Sequence, residues 1–207
     1  MVKTNLDFQE IYDAFQSKIY RYLRRLVGEF EAEDLTQEVF TRVSQALKDF
    51  RGESQLSTWI YRIATNAAMD KLRSPAYKQT VQKRRTMETV AETETTIENR
   101  DAWTGEKEPS VEQRVIQNEM NQCIRDFIEN LPGNYKTVVV LSELEGLKNQ
   151  EIADILQISL ESVKVRLHRG RVNLRKKLES NCSFYRNEQN ELACDLKGAF
   201  EELRETF

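Results

Sequence analysis

The residues of this chain best suited to chemistry are two acid-free runs of cations. Lys71, Arg73, Lys78, Lys83, Arg84 and Arg85 form the first, and Lys164, Arg166, Arg169, Arg171, Arg175, Lys176 and Lys177 form the second. Ammonium and guanidinium groups at this density attract phosphate, and guanidinium also forks onto the edge of a base. A basic helix can equally be a solvated face with no ligand. Between the runs, positions 88 to 112 carry eight acids against Arg100 and Lys107, so an acidic tether separates two cationic surfaces. The formal net charge of −3 argues against a protein that coats nucleic acid unaided.

No set of residues fits catalysis. There is one histidine, His168, no glycine-rich loop to cradle phosphate, and no nucleophile beside a base, so neither catalytic residues nor a cofactor are expected. Three cysteines, Cys123, Cys182 and Cys194, are an odd number and suit a reducing compartment. Cys182 and Cys194, with His168 upstream, can be imagined as metal ligands or a redox pair. No CxxC is present and a fourth ligand is not obvious, so ordinary thiols and no metal site are expected.

The elements that must position these charges are helical. Only seven Gly and three Pro stand among 207 residues, with 39% apolar and 31% charged side chains, which predicts an all-α protein with little or no sheet. No apolar stretch approaches a membrane span, and MVKTNLDFQE lacks the apolar core of a signal peptide, so a cytoplasmic protein is expected. Phe8, Ile11, Tyr12, Phe15, Ile19, Tyr22, Leu23 and Leu26 keep the 3.6 period and predict a helix ending near Gly28. A second helix is expected from about Ala32 to the Arg51-Gly52 turn, and a third from about Ser54 to Arg73, stopped by Ser74-Pro75. Positions 75 to 109 lack a sustained period and read as a linker, in which Trp103 is the one large apolar side chain that could dock. Helicity resumes near Ser110. Leu192, Leu196, Phe200 and Leu203 predict a short amphipathic helix folding back in the tail.

NQEIADILQISLESVKVRLHRGRVNLRKKL, residues 149–178, has helix-turn-helix spacing. Ala153 lets two helices approach, Ile158 plugs the turn and Ser159 can cap the second helix. With Val163 and Leu167 inward, the exposed arc centres on Glu161, Val165, His168 and Val172, an arrangement that fits a major groove. Gln157 stands where glycine often supplies a left-handed backbone.

LPGNYKTVVVLSELEGLKNQEIADIL followed by SVKVRLHRGRVNLRKKL resembles the fourth conserved region of extracytoplasmic-function (ECF) sigma factors, sigma-70-type initiation subunits of bacterial RNA polymerase. EDLTQEVFTRV followed by LKDFRGESQLSTWIYRIATNAAMDKLR resembles their second conserved region. The resemblance implies two small helical domains. An N-terminal three-helix bundle would occupy 5–75, an acidic linker 76–110, a C-terminal helix-turn-helix domain 111–179, and a partly helical extension 180–207.

The partners it implies are core RNA polymerase, through its beta and beta-prime subunits, promoter DNA and an anti-sigma factor, with no membrane insertion and no small-molecule substrate. Glu33, Asp34, Gln37 and Glu38 match the surface that docks on the polymerase's largest subunit, although acids at a helix start also suit the helix dipole. Asp49, Phe50, Arg51, Gly52, Glu53 and Ser54 match the loop that, with Asn66, receives a flipped base of the −10 element. Phe50 could stack that base or simply plug the bundle end. Trp59, Tyr61 and Arg62 sit too close on one helix for all to be core, and in the family this helix meets the point of strand separation. Lys71 and Arg73 become phosphate contacts. The −35 element would be read by Glu161, Ser162, Lys164, Val165, Arg166, His168, Arg169, Arg171 and Arg175. The acidic linker would thread the RNA-exit path, or would be solvated and disordered. A free-standing helix-turn-helix regulator is the competing assignment, but a sensor bundle has no need of a Trp-Tyr-Arg helix beside a base-sized loop.

Overall fold

The computed structural model describes residues 7–80, 123–186 and 192–197. Most of the acidic linker, Trp103, and Lys83, Arg84 and Arg85 lie outside the described residues. Helix α1 is Phe8–Val27, opened by Asp7, whose carboxylate accepts the Gln9 N–H. Its apolar stripe buries Ile11, Ile19, Tyr22, Leu23 and Leu26. Gly28, at φ 87°, takes a backbone that a side chain would strain, and turns the chain directly into α2, Glu29–Ala46. A single 3₁₀ turn, Leu47–Asp49, and an exposed loop lead to α3, Leu56–Arg73. The three helices pack pairwise around Leu23, Val39, Phe40, Ile60 and Ala64, as the periodicity predicts. Residues 75–80, at the start of the segment read as a linker, are helical (α4), and the Tyr77 hydroxyl donates to the Val27 carbonyl at the end of α1.

The second segment begins with α5, residues 123–129. Helix α6, Gly133–Val139, widens into a π-helical turn at Val140–Leu144, and α7, Asn149–Leu156, follows. Gln157 adopts the left-handed conformation, φ 53° and ψ 44°, so this turn is made without glycine. Ser159 caps α8, Leu160–Asn181, by accepting the Ser162 N–H at 3.2 Å. Gly170 lets α6 approach α8, because a Cβ there would stand 2.7 Å from the Val139 side chain.

The tail departs from expectation. Cys182–Arg186 and Leu192–Leu196 form an antiparallel pair, β1 and β2, so Leu192 and Leu196 stand on a strand and not on the expected helix, while Phe200 and Leu203 lie outside the described residues. Leu192 and Leu196 satisfy a period of four and a period of two alike. Cys182, Phe184, Leu192, Cys194 and Leu196 satisfy only the second.

Candidate nucleic-acid interface

The α8 arc is built as the helix-turn-helix spacing requires. Val163, Leu167 and Gly170 are buried, which turns Glu161, Lys164, Val165, His168, Arg169, Arg171, Val172 and Arg175 to solvent, with Ser162 and Arg166 half-buried at its edge. Val165 is 47% exposed, a large figure for a valine. An apolar contact among cations suits a base methyl flanked by phosphates. Two of the cations are engaged within the chain, Lys164 with Glu161 at 2.9 Å and Arg171 with Glu143 at 2.6 Å. Both pairs are largely exposed, so phosphate can replace the carboxylate at little cost.

On α2, Glu33, Asp34, Gln37 and Glu38 are all exposed, while Ala32, Leu35, Thr36 and Val39 are buried. The four predicted docking residues therefore form one polar stripe. Glu38 also pairs with Arg42 one turn on.

The α3 surface is less uniform. Asp49, Arg51 and Gly52 are exposed and Ser54 is half-buried, as a loop open to a base requires. Phe50 packs its ring 5.1 Å from that of Trp59, so the loop is anchored on the helix by the two aromatics singled out in the sequence. Asn66 and Arg73 are exposed. Lys71 pairs with Glu31. Arg62 is half-buried, and its Nε lacks a hydrogen-bond partner.

Tyr61 is not part of an open surface. It is 5% exposed, its ring meets Tyr22 edge-on at 5.2 Å, and its hydroxyl donates to Glu145 of the second segment at 2.6 Å. Position explains this: Tyr61 shares its stripe with Thr58, Thr65 and Ala68, all buried, whereas Trp59 and Asn66 lie on other sides of the helix.

Glu145 is a residue that sequence reasoning missed. Its other oxygen accepts from Arg25, and the carboxylate is only 8% exposed. Lys136 adds a third link, donating to the Leu26 carbonyl at 3.3 Å. Cations thus converge on the C-terminal end of α1, where free carbonyls carry the negative end of the helix dipole. Burial lowers the pKa of Arg25 and of Lys136, and is opposed by Glu145 and Glu129 respectively. Burial, then the charge of Glu145, raises that of the Tyr61 phenol. Around these polar links α7 packs on α3, and the buried apolar residues of both segments form one continuous core. Pairs 84 and 120 positions apart leave no local pattern, so nothing in the sequence could have signalled them.

Among the described residues no cluster of three or more His, Cys, Asp or Glu could hold a metal ion, and no helix is long and apolar enough to cross a membrane.

Residues 11–76 match the family model of sigma-70 region 2, and residues 121–174 that of sigma-70 region 4. The ECF RNA polymerase sigma factor SigW of Bacillus subtilis is 37% identical over 83% of this chain and 88% of its own. The ECF RNA polymerase sigma-E factor of Haemophilus influenzae is 33% identical over 83% of this chain and 87% of its own. In fold, the chain is similar to the sigma factor RpoE of Bartonella quintana, solved in complex with the anti-sigma factor NepR. The TM-score is 0.58 at 18% identity, covering 84% of this chain and 97% of that one.

Proposed function

The chain belongs to the ECF sigma factors of bacterial RNA polymerase, and from that membership we propose how its surfaces share the work of initiation. The α2 stripe of Glu33, Asp34, Gln37 and Glu38 docks on core polymerase. The Phe50 loop, Trp59, Arg62 and Asn66 receive and hold the opened −10 strand, with Lys71 and Arg73 on phosphate. The α8 arc enters the −35 major groove. Domains at 5–75 and 111–179, joined by the linker, carry these tasks. The protein acts in the cytoplasm, has no catalysis of its own, and is restrained by an anti-sigma factor, as the complex of its structural relative suggests.

The observation that best supports this reading is the open arc of α8, with Val165 exposed among Lys164, His168 and Arg169. Elements centred at −35 and −10 lie about 25 base pairs apart, or about 85 Å at 3.4 Å per pair. Helices α3 and α7 are in contact. Reading both elements at once therefore requires the two segments to part, which breaks the Glu145 links. Transcription by core polymerase on a randomised promoter library, with and without the protein, tests the reading. Enrichment of two sequence blocks at fixed spacing is expected only with the protein present, and a library left unenriched would overturn it.

A further inference from the structure

Two of the three cysteines of the chain meet, and the third lies on the neighbouring strand. Cys182 follows the last residue of α8 and opens β1, Cys123 lies on α5, and Cys194 lies on β2. The sulfurs of Cys123 and Cys182 stand 3.8 Å apart although 59 positions separate them. Cys182 lies opposite Leu196 and Cys194 opposite Phe184. Alternate residues of a strand share a face, so Cys194 stands on the same face as Cys182, the one turned to Cys123. Cys182 is buried, whereas Cys123 and Cys194 are half-exposed and give a small reagent its way in. The sequence reading weighed Cys182 with Cys194 and left Cys123 out.

We propose that Cys123 and Cys182 form a dithiol that oxidises reversibly to a disulfide, with a low-molecular-weight disulfide as oxidant, and that the bond staples the β-hairpin and the end of α8 to α5. One thiol gives its proton to solvent and its sulfur attacks the reagent disulfide, releasing one reagent thiolate. The second thiol, deprotonated in turn, attacks the resulting mixed disulfide and releases the other. Two protein thiols are oxidised and one reagent disulfide is reduced to two thiols. Bond formation needs the sulfurs to close to about 2.05 Å, within reach of a side-chain rotation. Burial and the neighbouring thiols push Cys123 up to about 11, which slows its reaction with an oxidant.

The test equilibrates the full chain in oxidised and reduced glutathione, traps it by alkylation and maps the peptides. A loss of about 2 Da, a Cys123–Cys182 cross-linked peptide, an alkylated Cys194 and full reversal by dithiothreitol are expected. Oxidation should also raise Tm by about 5 °C or more. Cys194→Ser should keep the bond, and Cys123→Ser and Cys182→Ser should each abolish it. If buried Cys182→Ser fails to fold, half-exposed Cys123→Ser carries the comparison. A bond to Cys194 instead, intermolecular dimers alone, glutathione adducts alone, or one zinc ion protecting all three thiols would each overturn the proposal.

Discussion

Helices α3 and α8 both carry cations in their C-terminal halves and both match promoter-reading surfaces, yet they expose different amounts of themselves. Helix α8 buries a narrow stripe, Val163, Leu167 and Gly170, and keeps an arc open over several turns. Helix α3 packs against α1, α2 and α7 and buries Thr58, Ile60, Tyr61, Ala64, Thr65, Ala67 and Ala68. A helix surrounded on three sides keeps for DNA its preceding loop and a few side chains, here Phe50 on Trp59, then Asn66 and Arg73. On the proposed assignment, α8 would offer the −35 element a continuous helix face, whereas α3 would offer the −10 element a loop and an edge.

The sharpest way to break this contrast is to spoil the narrow packing stripe of α8. Gly170→Val places methyl groups against Val139, already 2.7 Å from the missing Cβ, and is expected to cost about 3 kcal/mol in urea unfolding. That outweighs the gain of about 0.4 kcal/mol that valine has over glycine in helix propensity. The second test removes what covers α3. Glu145→Ala strips a carboxylate from Arg25 and Tyr61 and is expected to cost about 2 kcal/mol, less than a fully buried pair because Arg25 retains 18% exposure. Glu145→Gln keeps an acceptor for Tyr61 and should lose less. Fluorescence transfer between dyes on the two segments should report the separation in both variants.

Much of this was legible in advance. Eight apolar residues at helical spacing made α1 legible and placed its end within a residue of Gly28, because one buried face leaves a period. The α8 arc followed from Val163 and Leu167 alone. Tyr61 did not, since its burial depends on a carboxylate 84 positions away. The hairpin was not legible because Leu192 and Leu196 fit two periods, and the helical one extends to Phe200 and Leu203.

Smaller effects probe the same helices. Burial raises the phenol of Tyr22, whose hydroxyl is 2.8 Å from that of Thr65 across the α1–α3 contact. A raised folded-state value means stability is fully present below about pH 10, the unfolded value, and is lost as pH rises above it. Alkaline unfolding should therefore begin near there, and Tyr22→Phe should make stability fall less steeply with pH, the raised Tyr61 phenol keeping the rest of the loss. At the turn before α8, Gln157 is held at φ 53°, so Gln157→Gly relieves a left-handed side chain. A gain of up to about 1 kcal/mol is expected in thermal unfolding, with −35 preference unchanged.

The most direct measurement is initiation by core polymerase on a promoter drawn from the library, intact or with one block scrambled, using wild type, Lys164→Ala and Arg169→Ala. Wild type should initiate only when both blocks are intact. Losing a phosphate contact should weaken all −35 variants together, and losing a base contact should relax preference at one position. Initiation that ignores the −35 block, and that neither substitution changes in level or preference, would contradict the placement of α8 in the groove.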